Sequence, residues 1–129
     1  MNSSLTKILC IDDDPDILAI IRISLETLGG FTLRTCSEGN DGVRQAADWQ
    51  PDLILTDVMM PEVDGIATFK MLHENQVTTQ IPVVFMTACV ERSQLEEYRS
   101  LGAASVIHKP FDVMLLPDQV RAVWQAAAA

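Results

Sequence analysis

Short apolar runs alternate with longer stretches of helical periodicity along the whole chain. The apolar runs are rich in β-branched residues and lie at 7–11, 31–36, 52–57, 82–87 and 105–109. Most are almost continuously apolar, which is typical of strands that are covered on both faces in a parallel sheet. The pattern therefore predicts five strands, each followed by a helix.

The stretches between the strands carry apolar residues three and four positions apart. The first stretch predicts one apolar helix face made of Ile17, Ile20, Ile21, Leu25 and Leu28. Asp14 is placed to cap this helix, Pro15 suits its first turn, and Gly29 ends it. Similar faces predict four further helices, around 43–47, 66–72, 95–101 and 116–124. Pro117 removes a backbone donor, so we expect the last helix to start late or to kink there.

Together these elements predict a doubly wound α/β fold of the flavodoxin-like kind. We expect a five-stranded parallel sheet in the order 2-1-3-4-5, with helices on both faces. The length of 129 residues suits one domain. We therefore expect residues 1–129 to form a single domain with a core of about 6–125.

The composition restricts the possible functions and locations. The chain is 48% hydrophobic and 21% charged, which is ordinary for a globular protein. Its formal net charge of -9 argues against direct binding to nucleic acid. No signal peptide or membrane span is visible, so we expect a cytoplasmic protein. The three cysteines lack metal-ligand spacing and are interpreted as reduced core thiols: Cys10, Cys36 and Cys89.

Polar side chains with chemical potential follow four of the five predicted strands. Asp12 and Asp13 follow the first strand, Asp57 ends the third, Thr87 ends the fourth, and Lys109 stands at the end of the fifth. The carboxyl ends of parallel strands joined by right-handed crossovers lie at the same edge of the sheet, where ligands bind. We therefore expect these residues to converge on one crevice.

Crowded carboxylates need a compensating charge. Two unit charges about 4 Å apart interact by about 4 kcal/mol at an effective dielectric constant of about 20. A divalent cation removes this repulsion, and oxygen ligands with room for water favour Mg²⁺ over Ca²⁺. Asp57 beside such a metal could accept a phosphoryl group as an aspartyl phosphate. Lys109 would neutralise charge on the transferring oxygens, and the Thr87 hydroxyl could bond one of them.

At these positions the sequence resembles the receiver domain of bacterial response regulators, the phosphoacceptors of two-component signalling. The resemblance covers roughly residues 6 to 125 and is carried by "CIDDDPDI", "LILTDVMMPEVDGI", "PVVFMTA" and "HKPF", in this order and at similar spacing. Each piece alone is a weak signal, whereas the ordered set is specific.

The resemblance implies a role for each matched residue. It makes Asp57 the phosphorylation site, with Mg²⁺ held by Asp12, Asp13, Asp57 and the backbone carbonyl of Met59. Thr87 becomes the switch hydroxyl and Lys109 the phosphate partner, followed by a cis bond to Pro110. The implied donor is a sensor histidine kinase or a histidine phosphotransfer protein. Output would pass through an effector protein or a further domain.

The chain departs from the family pattern three residues before Lys109. The family usually carries an aromatic residue there that swings inward on activation, and this chain has Val106. The usual coupling of hydroxyl and aromatic is therefore in doubt at the face made by the fourth helix, the fifth strand and the fifth helix.

Other interpretations of single residues remain open. Asp14 and Asp16 are explained by helix capping and the helix dipole. His73 and His108 lack ligand spacing and are interpreted as surface or packing residues. Met59, Met60 and Pro61 look like apolar loop packing, with a turn from Pro61 to Gly65. Two further functions compete: a Mg²⁺-dependent aspartyl-phosphate phosphohydrolase, which usually carries an acid where Met59 stands, and a pseudo-receiver that is never phosphorylated.

Overall fold

The computed structural model describes residues 4–88 and 91–128. Five strands alternate with five helices along the chain. The strands are β1 (Lys7–Ile11), β2 (Thr32–Cys36), β3 (Leu53–Asp57), β4 (Val83–Thr87) and β5 (Ser105–His108). The helices are α1 (Pro15–Arg22), α2 (Gly39–Trp49), α3 (Gly65–Glu74), α4 (Arg92–Leu101) and α5 (Leu116–Ala128). The predicted strands are confirmed to within one residue at each end.

The five strands form one parallel sheet in the order β2-β1-β3-β4-β5, as the sequence predicted. Strand β3 lies at the centre, and all five of its residues are buried. Its last residue, Asp57, pairs in register with Met86 of β4, and Thr87 pairs with His108 of β5. The register therefore aligns the carboxyl ends of the strands that carry the candidate site.

Two apolar cores cover the two faces of the sheet, because successive strand residues point to opposite sides. One core packs alternate strand residues such as Leu55 and Met86 against Ile21, Leu25 and residues of α5. The other packs the remaining strand residues against α2, α3 and α4. Helices thus lie on both faces, as expected for a doubly wound sheet.

The first helix begins as predicted but continues in an altered form. The Asp14 side chain accepts a hydrogen bond from the Asp16 backbone N–H, and Pro15 occupies the first turn. After α1 the chain continues as a π-helical segment, Ile23–Leu28. The prediction of one five-residue apolar face is wrong in part, because Ile20 is 38% exposed and Leu28 is 49% exposed. The wider i→i+5 turns change the rotation per residue, so α-helical spacing does not apply to Leu28.

Helix α5 starts late, which resolves the awkward position of Pro117. The helix begins at Leu116, so Pro117 lies in the first turn, where its missing N–H breaks no helical hydrogen bond. Among the described residues, no helix is both long and apolar enough to cross a membrane.

The cysteine prediction is confirmed for two residues. Cys10 and Cys36 are buried, unbridged thiols. Burial is the first cause that raises the pKa of each thiol, that of Cys36 to about 12. Cys89 lies outside the described residues.

Candidate functional site

The residues singled out at the strand ends lie along one edge of the sheet. Asp12 and Asp13 directly follow β1, Asp57 is the last residue of β3, and Thr87 is the last residue of β4. Lys109 directly follows β5. The parallel topology places the four strand ends side by side, although the residues span almost a hundred positions of sequence. The site is therefore built by the sheet and by no single motif.

Lys109 joins two of the acidic residues. Its ammonium nitrogen lies 2.8 Å from Asp12 Oδ2 and 3.2 Å from Asp57 Oδ1. Asp12 is fully buried, Asp57 is 6% exposed, and 17% of the Lys109 side chain is exposed. Burial reduces the screening of such charges by water, so these ion pairs are stronger than surface pairs. One ammonium thus compensates two nearly buried carboxylates.

A third carboxylate completes an acidic cluster. Asp12, Asp13 and Asp57 each offer one oxygen, and the three oxygens lie within 4.8 Å of one another. Asp13 is exposed, so the cluster opens to solvent on its side. The ligand atoms are all carboxylate oxygens, which suits a hard divalent cation and not a soft one. The residues present therefore fit a metal of this class.

The electrostatics at Asp57 and Lys109 reflect the excess of negative charge. Burial raises the pKa of the Asp57 carboxyl and the Asp12 carboxylate raises it further, while Lys109 lowers it without cancelling the shift. Burial alone would lower the pKa of Lys109, but its contacts with Asp12 and Asp57 outweigh burial and raise it. The ionised form of Asp57 therefore destabilises the fold, whereas the protonated form of Lys109 is stabilised by its two carboxylate partners.

Backbone contacts fix the position of Lys109 relative to β4. The Lys109 backbone N–H donates a 2.8 Å hydrogen bond to the Thr87 carbonyl oxygen. The bond between Lys109 and Pro110 is cis, as the family resemblance implied. Thr87 is almost fully buried at the end of its strand. Its role as a switch hydroxyl stays a prediction.

The loop after Asp57 departs from one expectation. Met60 is buried, but Met59 is 77% exposed and Pro61 is exposed too, so the prediction of apolar loop packing is wrong for Met59 and Pro61. Met59 lies two residues beyond the strand end, where the chain turns outward before Pro61. The family resemblance implies a role only for the Met59 backbone carbonyl, as a metal ligand, and that role stays a prediction.

Gly65 is a site residue that sequence reasoning missed. A Cβ atom there would collide with the Asp57 carbonyl oxygen and would lie 2.8 Å from the Val58 Cα. The Gly65 N–H also donates a 2.9 Å hydrogen bond to the Val58 carbonyl. A glycine that opens a helix just after a strand-end acid was the available signal, because such positions often mark a close approach of two backbone segments. Gly65 allows α3 to start directly against the Asp57 backbone.

The residues that the sequence assigned to capping, the helix dipole or packing lie outside the acidic cluster. Asp14 caps α1, and Asp16 is exposed in its first turn. His73 is exposed and stacks on Phe69 at a ring-centroid distance of 5.8 Å. His108 is exposed on β5. None of these four residues belongs to the acidic cluster.

Comparison with known proteins identifies the protein family. The sequence profile of the response regulator receiver domain matches residues 8–121. The chain belongs to the response regulator receiver domain family. Such a domain acts in signal transduction and is not a turnover enzyme in the usual sense.

Several curated relatives are longer regulators. The chain is 37% identical over 117 residues to the DNA-binding dual master transcriptional regulator RpaA of Synechocystis, covering 91% of this chain and 48% of that protein. It is 30% identical to the regulatory protein AtoC of Escherichia coli, covering 97% of this chain and 26% of that protein. The chain thus spans half or less of these two relatives.

Solved structures support the same architecture. The chemotaxis protein CheY4 of Vibrio cholerae matches with a TM-score of 0.86 at 23% identity, covering 93% of this chain and 99% of that one, which shows the fold alone. The signal receiver domain of a histidine kinase from Syntrophus aciditrophicus matches with a TM-score of 0.82 at 28% identity, covering 94% of this chain and 91% of that one.

Proposed function

We propose that Asp57 accepts a phosphoryl group from the phosphohistidine of a sensor histidine kinase or phosphotransfer protein. The observation that carries this proposal is the Lys109 ammonium, which lies 3.2 Å from Asp57 and 2.8 Å from Asp12, two nearly buried carboxylates. An Asp57 carboxylate oxygen forms the new bond to phosphorus, and the bond between phosphorus and the imidazole nitrogen breaks. The charge carried by the phosphoryl oxygens then lies within reach of Lys109.

The other residues of the edge take supporting roles in this proposal. Asp12, Asp13, Asp57 and the Met59 carbonyl would hold Mg²⁺, which when bound neutralises carboxylate and phosphoryl charge. Thr87, the last residue of the strand beside β3, would donate its hydroxyl to a phosphoryl oxygen. The domain then promotes only its own phosphorylation and dephosphorylation.

The acyl phosphate would act by shifting a conformational equilibrium. A tenfold change in population needs only about 1.4 kcal/mol of differential stabilisation, so small rearrangements suffice. We propose that residues 1–129 form one receiver domain, with a core of about 6–125, that works in the cytoplasm. Its output would pass to an effector protein or to a further domain of a longer chain, as the length of the relatives suggests.

The proposal is tested by incubating the protein with acetyl phosphate and Mg²⁺ and recording its intact mass. Wild type should gain the mass of one phosphoryl group, and Asp57→Ala should gain none. Asp16→Ala is the matched control, because Asp16 is an exposed acid of the same segment outside the cluster, and it should be labelled like wild type. Equal labelling of Asp57→Ala and wild type would refute the assignment. Absence of labelling in wild type would favour a pseudo-receiver, and steady turnover of small phosphate esters would favour a phosphohydrolase.

A further inference from the structure

Helix α4 is anchored to the sheet through a single buried side chain. Within this helix, all of which the structure describes, only Tyr98 is buried, at 4% exposure. Leu95 and Leu101 are half-buried, and the other residues are polar and mostly exposed. A helix with so little buried apolar surface has few contacts that resist a shift. The position of α4 therefore depends strongly on what Tyr98 contacts.

Tyr98 packs on the strand that ends at the candidate site. Its ring meets the Phe85 ring edge to face, with centroids 5.2 Å apart and planes at 77°. Phe85 meets Phe69 of α3 in the same manner, at 5.8 Å and 72°. Aromatic pairs in this arrangement contribute directional contacts beyond simple burial. Phe85 thus holds Tyr98 on one side and a residue of the neighbouring helix on the other.

The strand geometry connects this contact to Thr87. Residues two apart on a strand point to the same face, so Thr87 and Phe85 share the face that α4 covers. Only residues 88–91 separate Thr87 from the start of α4. A movement of Thr87 toward a phosphoryl group on Asp57 would therefore displace the end of the strand that carries Phe85, on which Tyr98 of α4 packs.

Val106 cannot act as the aromatic residue that the family usually carries three positions before the lysine. It pairs in register with Phe85 and packs against the same apolar core, so its side chain faces the same space under α4. A valine side chain has no ring and is short, and it cannot swing between an inward and an outward position as a long aromatic can. From α4, the Tyr98 ring contacts Phe85, the register partner of Val106.

We propose that Tyr98, and not residue 106, couples the state of Asp57 to the position of helix α4. This inference rests on the proposed function and adds the structural change that would follow phosphorylation. Phosphorylation changes the Tyr98–Phe85 packing and thereby shifts α4 relative to the sheet. Tyr98 is a coupling residue and touches no reacting atom.

The composition of the chain supplies a specific probe. The sequence has one tyrosine, so biosynthetic incorporation of fluorotyrosine gives one ¹⁹F resonance, that of residue 98. We expect acetyl phosphate with Mg²⁺ to shift or split this resonance in proportion to the phosphorylated fraction measured by intact mass. Fluorotryptophan gives two resonances, which Trp124→Phe distinguishes, and that of Trp49 is the control, because Trp49 ends α2 beside Lys7 at the opposite edge of the sheet. Its resonance should not change.

The outcomes separate the inference from the function on which it rests. A mass gain with an unchanged tyrosine resonance would overturn the coupling role and leave phosphorylation at Asp57 standing. An equal response at Trp49 would also overturn it, because the change would then be global. No mass gain would overturn both.

Two variants test whether the ring is required. Tyr98→Phe keeps the ring, and Tyr98→Leu keeps burial without it. In wild type and Tyr98→Phe, we expect phosphorylation to change hydrogen exchange of the α4 amides by about tenfold, which corresponds to about 1.4 kcal/mol. In Tyr98→Leu this response should be lost while the mass gain remains. An undiminished response in Tyr98→Leu, or its loss in Tyr98→Phe, would contradict the proposal.

Discussion

The Lys109 ammonium donates a 2.8 Å hydrogen bond to the Asp12 carboxylate, 97 residues earlier in the chain. Asp12 is fully buried, and its second oxygen accepts the Asp14 backbone N–H at 2.9 Å. Both oxygens of Asp12 thus have donors, whereas Asp57 shares the same ammonium at 3.2 Å. Burial and the Asp12 carboxylate raise the pKa of Asp57 despite this shared ammonium, and such perturbed groups are common at functional sites.

The first prediction concerns the cost of keeping Asp57 ionised. Burial and Asp12 raise the pKa of Asp57 in the folded protein, so its charged form destabilises the fold. We expect Asp57→Asn to be more stable than wild type at neutral pH, seen as a higher urea midpoint in EDTA. Asp16→Asn, which changes an exposed acid, should alter the stability by less than about 0.5 kcal/mol.

The pH dependence of this difference has a definite sign. The unfolded carboxyl titrates near its ordinary value of 3.8, and the folded one titrates higher. The stability associated with protonated Asp57 is fully present below the unfolded pKa and is lost as the pH rises through the folded pKa. The advantage of Asp57→Asn over wild type should therefore grow with pH from about 3.8 upward and then level off. A constant difference across this range would contradict the assigned shift.

The second prediction is stabilisation by Mg²⁺. The acidic cluster exists only when the chain is folded, so Mg²⁺ should bind only the folded state. At a ligand concentration ten times the Kd, such binding adds about 1.4 kcal/mol to the free energy of unfolding. We expect Mg²⁺ to raise the Tm by about 5 °C. Asp13→Ala should remove most of this response, because it deletes one carboxylate of the cluster and leaves both ion pairs of Lys109 in place.

Asp16→Ala is the matched control for the metal experiment, because Asp16 is exposed and is not part of the cluster. It should retain the full Mg²⁺ response. An unchanged wild-type Tm at millimolar Mg²⁺, or equal responses in the two alanine variants, would contradict a metal site at Asp13.

The third prediction concerns Gly65, whose Cβ would meet the Asp57 backbone. Gly65→Ala should destabilise the protein by about 1 to 3 kcal/mol, as overpacking does, and should slow labelling by acetyl phosphate because Asp57 itself must shift. Urea unfolding and the time course of intact mass measure the two effects.

Gly30→Ala serves as the comparison for Gly65→Ala. Gly30 has a φ of 76° and open space around its Cβ position, so alanine there costs backbone strain of about 1 kcal/mol without touching the site. It should lower stability and leave the labelling rate unchanged. A slowed rate in Gly30→Ala would mean that general destabilisation explains the effect at Gly65.

The fourth prediction is a stabilising change at the end of α2. Gln50 caps this helix with a φ of 53°, in the left-handed region that glycine adopts without steric cost. Gln50→Gly should raise the free energy of unfolding by about 1 kcal/mol. Asp48→Gly, at an exposed position inside the same helix, should instead lower it by about 0.5 to 1 kcal/mol. Both are read from urea midpoints, and destabilisation by Gln50→Gly would refute the argument.

Much of the fold could be predicted because it depends on local pattern. Continuous apolar runs indicated buried parallel strands, and the cap at Asp14 and the stop at Gly29 marked helix ends that the structure shows. The π-helical segment at Ile23–Leu28 could not be predicted, because its turns depend on packing against neighbouring elements and not on residue spacing alone. The exposure of Leu28 follows from the same cause.

The sequence by itself determined which side chains stand at the strand ends, because alternating strands and helices assign each acid and Lys109 to one edge of a parallel sheet. Only the tertiary structure decided that Lys109 bonds both Asp12 and Asp57, that Gly65 lies against the Asp57 backbone, and that Tyr98 packs on Phe85, the register partner of Val106. Local pattern specifies the elements and their faces. Distances between side chains far apart in sequence depend on how the elements pack, and no local pattern encodes them.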